Sequence, residues 1–62
     1  MKLTFTEKGG GPTLHRSGVL SVMVQYIKGK GPCFFLVYAD KPLEEGEFLD
    51  FNCYDLIKVE EE

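Results

Sequence analysis

The sequence predicts an all-β domain, a small antiparallel four- to five-stranded barrel or sheet of SH3-like or OB-like type. A short C-terminal helix is its alternative ending. Three observations lead there. Short stretches rich in aromatic and β-branched residues alternate apolar and polar side chains with a period of two. Glycine- and proline-bearing segments, Gly9–Pro12 and Lys28–Pro32, punctuate them. At 62 residues the chain has room for one domain only.

The first strand is expected at Lys2–Glu7, where Leu3 and Phe5 alternate with Thr4 and Thr6. Gly9-Gly10-Gly11-Pro12 then forms a loop. Thr13–Ser17 reads either as a short strand holding Leu14 inward or as more loop. Val19–Lys28 is the clearest strand, with Leu20, Val22, Val24 and Tyr26 on one side and Ser21 and Gln25 on the other. A hairpin loop at Gly29–Gly31 places Gly31 where a positive φ is needed, and Pro32 opens the next strand. This register sets Tyr26 against Phe34, Val24 against Leu36 and Val22 against Tyr38 on the buried face. Ile27, Gln25, Met23 and Ser21 then oppose Cys33, Phe35, Val37 and Ala39 on the other.

Cys33–Ala39 is apolar at every position, so both faces of that strand call for cover. A chain this short has little to lay over the second face. A C-terminal helix, a second copy or another protein is expected there. Asp40–Glu47 reads as a turn with one helical turn after Pro42. Phe48–Cys53 alternates again, and the phase slips near Tyr54-Asp55, as a bulge or tight corner would cause. Leu49, Cys53, Leu56 and Glu60 also fit helical spacing, so residues 48–59 have a competing helical reading. Their aromatic and β-branched content favours strand.

Composition excludes several classes. Hydrophobic residues make up 44% and aromatics 13%, too much for a disordered chain. A domain of this length buries only roughly 60% of its unfolded surface, so oligomerisation would help it. The longest apolar run is far short of the roughly 18 residues that span a bilayer, so no membrane partner is expected. The N-terminus lacks the apolar core of a signal peptide, which points to the cytoplasm. Cys33 and Cys53 are expected to be reduced, buried and chemically idle, with a bridge between neighbouring strands as the alternative.

His15 is the only histidine and no Cys-x-x-Cys spacing occurs, so neither a metal nor another cofactor is expected. Nucleophilic catalysis would need a cysteine activated by His15, which sits beside Arg16. Neither glycine-rich loop ends in Gly-Lys-Ser/Thr, so neither is a phosphate loop. The chain is therefore read as having no enzymatic activity. Pro42-Leu43-Glu44-Glu45-Gly46-Glu47-Phe48-Leu49-Asp50-Phe51 resembles a short piece of SET methyltransferases. Most of that fold and its cofactor-binding Asn-His pair are missing, and the resemblance carries no activity over.

Charge divides along the chain. Through Pro32 five basic residues face Glu7 alone; from Cys33 onward two lysines face nine acids. Such polarity could steer partners, but solvated loops and an acidic tail account for it as well. A protein-binding module (an adaptor, an inhibitor or a phage- or plasmid-type regulator) needs only an apolar surface with a polar rim. The outer face of the central hairpin, Met23, Ile27, Phe35 and Val37, supplies one. The expected partner is another protein or a second copy in a homodimer. Single-stranded nucleic acid is the alternative, with Arg16, Lys28 and Lys30 beside Tyr26 and Phe35. A net charge of −3 and a pI near 5.0 oppose it.

Overall fold

The computed structural model covers residues 1–62. It has six strands: β1 (Lys2–Glu7), β2 (Thr13–Arg16), β3 (Val19–Ile27), β4 (Gly31–Tyr38), β5 (Glu47–Asp50) and β6 (Tyr54–Glu60), with a 3₁₀ turn at Leu43–Glu45. They form two antiparallel three-stranded sheets, ordered β2-β1-β6 and β3-β4-β5. Each consecutive pair of strands therefore either pairs or turns a corner, and β6 returns to β1. Such a circular order would close a barrel. It stays open because β2 does not pair with β3, nor β5 with β6. The chain changes sheets at Ser17-Gly18 and at the turn Phe51–Cys53.

Two features fall outside expectation here. The strand count rises to six because Thr13–Arg16 pairs with β1 and the last segment breaks at Phe51–Cys53. The C-terminal helix does not form. Tyr54–Glu60 is a strand bonded to β1, and the slip in its alternation reflects the corner plus an irregularity that leaves Ile57 unpaired opposite Thr4/Phe5.

The core lies between the two central strands. Leu3 and Phe5 of β1 meet Phe34 and Leu36 of β4, with Val19 and Leu49 completing the buried cluster. Phe5 and Phe34 pack edge to face at 5.2 Å, a favoured aromatic geometry. Leu14, Val22, Tyr38, Tyr54 and Leu56 pack around it. One seam is tied by the chain start: the Met1 ammonium donates to the Val19 carbonyl at 2.6 Å, and Val19 N–H donates back to Met1 at 3.0 Å.

The central hairpin keeps its predicted faces from Ser21 onward but not its register. A bulge between Val19 and Ser21 reverses the first two residues: Val19 enters the core while Leu20, expected on the buried face, is 66% exposed. Its loop is Lys28-Gly29-Lys30, so Ile27 opposes Gly31, Val24 opposes Phe34, Val22 opposes Leu36 and Met23 opposes Phe35. Gly29 (φ 86°) occupies the third position of a turn closed by Lys30 N–H donating to Ile27 at 3.0 Å, and Gly31 (φ 89°) follows. Moving the loop by one residue shifts the pairing by two. A shift of two preserves which side chains share a face.

Tyr26 is not buried against Phe34. Exposure climbs along the inner positions of β3, from 1% at Val19 to 54% at Val24 and 81% at Tyr26. A nine-residue strand is about 30 Å long at 3.3 Å per residue, and its tip runs past the edge of the smaller facing sheet.

Candidate protein-binding surface

The outer face of the second sheet carries the residues singled out in the sequence. Met23, Phe35 and Phe48 form one row across β3, β4 and β5, since Met23 opposes Phe35 and Phe35 opposes Phe48. The next row is Gln25, Cys33 and Asp50. The Phe35 and Phe48 rings stack at 4.6 Å with 21° between planes.

Phe35, expected as the accessible anchor, is 8% exposed. The chain supplies its own cover. Phe48 lies over one side of the ring, and the backbone at Gly46 presses on another: a Cβ at Gly46 would collide with the Phe35 ring and lie 2.9 Å from the Leu36 carbonyl oxygen. The expectation that a C-terminal helix, a second copy or another protein covers this face is thus corrected in part. Val37 and Ile27 are half-buried, while Met23 (45%) and Phe48 (49%) remain open to solvent. The accessible apolar element is the pair flanking Phe35, not Phe35 itself.

Sequence reasoning missed Phe48. Its signal was an aromatic on the otherwise polar side of β5, sharing parity with Asp50. Beside the row lies an open cavity of about 510 Å³ lined by Gly29, Lys30, Cys33, Phe48 and Asp50. Its lining combines the apolar Cys33 and Phe48 with one cation, Lys30, and one anion, Asp50.

The alternative trio does not assemble. Arg16 sits at the far end of β3 from the Lys28/Lys30 tip, and its guanidinium grips Glu47 through Nε (2.7 Å) and a second nitrogen (2.9 Å). The Tyr38 hydroxyl donates to the same carboxylate at 2.7 Å. This cluster links β2 to β4 and β5, pinning one sheet to the other. The fork from Arg16 holds the Glu47 carboxyl below the usual carboxylate range despite partial burial. Burial, reinforced by the bond to Glu47, pushes the Tyr38 phenol up to about 12.

Both thiols are free, and only Cys33 is buried. The expectation that Cys53 is also buried in a strand fails, because Cys53 sits in the turn joining the sheets. Local desolvation and then the Asp50 carboxylate raise its thiol above the ordinary value. His15 lies opposite Thr4 on the outer face of the first sheet, within 3.3 Å of the Thr4 hydroxyl and 3.5 Å of that of Thr13. Cys33 faces outward from the other sheet, so the two cannot form a thiol–imidazole pair. No cluster of three or more His, Cys, Asp or Glu side chains is arranged to hold a metal ion. No helix is long and apolar enough to cross a membrane.

Comparison with protein-family models, curated proteins and solved structures finds no match.

Proposed function

We propose that this chain is a small non-catalytic protein-binding module, an adaptor, inhibitor or regulator acting in the cytoplasm. It uses the outer face of the β3-β4-β5 sheet. The architecture is read as an opened variant of an SH3-like or OB-like barrel. One observation carries the reading: Met23 and Phe48 stay half exposed on either side of a buried Phe35. Large apolar side chains held rigidly at a sheet surface, beside a cavity with a Lys30/Asp50 rim, are what an interface hot spot requires. A partner would lay an apolar side chain across Phe48 and into the cavity.

The nucleic-acid alternative keeps one supporting observation, the 81% exposure of Tyr26 beside Lys28 and Lys30. It loses Arg16, which is neutralised by Glu47. Phe48→Ser tests the main reading because Phe48 is exposed enough to change without unfolding the core. A protein captured from the source organism by the wild type, lost with Phe48→Ser and kept with Ile57→Ser on the other sheet, supports it. Equal capture by all three contradicts it. Retention on single-stranded DNA that falls steeply with salt and fails in Tyr26→Ser would favour the alternative.

A further inference from the structure

We propose that two copies of this chain associate by antiparallel pairing of their β3 edges, extending the β3-β4-β5 sheet across a two-fold axis. Apart from Lys30, which borders both, this uses the edge of the sheet and not the face of the outer-face reading. Four strands end their sheets unpaired: β2, β3, β5 and β6. Exposed edges invite pairing, and charged side chains are the usual defence. Three of the four carry it, with His15 and Arg16 on β2, Glu47 and Asp50 on β5, and Asp55, Lys58 and Glu60 on β6. β3 is the longest strand and has no charged residue from Val19 to Ile27.

Its backbone is available as well. The Ile27 carbonyl turns toward β4 to accept from Lys30. By the alternation of an antiparallel ladder, Val22, Val24 and Tyr26 then aim their N–H and C=O groups at the open side. The start of the strand is already occupied, since Val19 bonds Met1. Pairing is therefore centred near Val24, with Val24 against its copy and Val22 against the copy's Tyr26. Val24 and Tyr26, 54% and 81% exposed, would bury against each other's copies.

Charge agrees with this register. It brings Lys30 of one copy level with Gly18 of the other, whose N–H donates to the Glu62 carboxylate at 2.7 Å. Basic tip meets acidic tail at both ends of the pairing. Because each copy has one uncharged edge, assembly closes at two. The contact is below the about 1,200 Å² of a standard stable interface, so the dimer should build up between roughly 10 µM and 1 mM.

Sedimentation across that range tests the proposal, with amide exchange read at both ends. The expected result is a monomer–dimer equilibrium in which the Val22, Val24 and Tyr26 amides slow as concentration rises. Val24→Lys, at an exposed position, should remain folded by circular dichroism and weaken the dimer at least tenfold. Lys30→Glu should weaken it, and Lys30→Glu combined with Glu62→Lys should recover it. A wild type that is monomeric at 1 mM, assembly beyond two, or concentration-independent exchange of those amides would overturn the proposal. So would a folded Val24→Lys that dimerises normally. Loss of partner capture in Phe48→Ser with dimerisation intact separates this inference from the outer-face reading.

Discussion

Glu47 carries more of the fold than a half-exposed carboxylate usually does. It accepts two bonds from Arg16 and one from Tyr38, and those three residues come from three strands in two sheets. Its lowered pKa has a definite consequence. The unfolded chain takes up the proton first as pH falls, so the stabilisation is fully present above about pH 4.3 and is lost below it. Tyr38 acts at the other extreme. Its folded pKa of about 12 lies above the unfolded value near 10, so its contribution is complete below pH 10 and vanishes as pH rises toward 12. Glu47→Gln should cost about 1–2 kcal/mol at neutral pH, flatten the acid limb of the stability profile, and move one tyrosine titration downward. Denaturation as a function of pH, with ultraviolet titration of the phenols, reads all three; an unchanged acid limb would show that the cluster is not coupled to folding. The cysteines differ as sharply. Native protein should react at Cys53 alone, more slowly at pH 7 than an unhindered thiol because its pKa is raised. Cys33 should react only on unfolding, and mass spectrometry after alkylation distinguishes the two.

Among the elements, the central hairpin shows what periodicity can and cannot decide. Alternation located β1, β3 and β4 within a few residues and assigned the hairpin side chains from Ser21 onward to the correct faces, but the bulge at Leu20 turns Val19 inward and Leu20 out. It could not choose between loops at residues 28–30 and 29–31, since both offer a glycine at a left-handed position and the faces survive either choice. Nor could it foresee that Tyr26 projects past the core, which depends on the size of the opposing sheet. The site was legible to the same degree. Met23 and Phe35 were placed on one face, but the cover on Phe35 comes from Gly46 and Phe48, twelve or so residues onward, and no local pattern encodes that approach. Gly46 itself reads as an ordinary turn glycine, and its φ of −63° demands no special residue. Its requirement is steric. Gly46→Ala should therefore destabilise the protein by more than about 1 kcal/mol and loosen Phe35. Gly31→Val should cost about 1–2 kcal/mol for a different reason, the left-handed backbone at that position. Chemical denaturation of both variants checks this, with near-ultraviolet circular dichroism expected to change for Gly46→Ala.

For the molecule as a whole, the polarity of charge along the chain becomes no division into a basic and an acidic half in space, and only the Lys28/Lys30 tip and the Glu60–Glu62 tail stay apart. β6 returns to lie beside β1, and the ends of the chain meet. Met1 sits 3.7 Å from Glu62, Lys8 3.3 Å from Asp55, and Arg16 grips Glu47, so the basic half is threaded through the acidic one. Exposed pairs such as Lys8–Asp55 add little stability, yet they set basic and acidic residues side by side. On the proposed reading recognition falls to apolar surface, which the second sheet offers at Met23 and Phe48 beside the buried Phe35. Amide chemical-shift mapping of the isotope-labelled protein with its captured partner tests this claim most directly. The expected footprint covers Met23, Cys33, Phe35, Val37 and Phe48 with the lining of the adjacent cavity, whereas a footprint on β1, β2 and β6 would contradict the proposal.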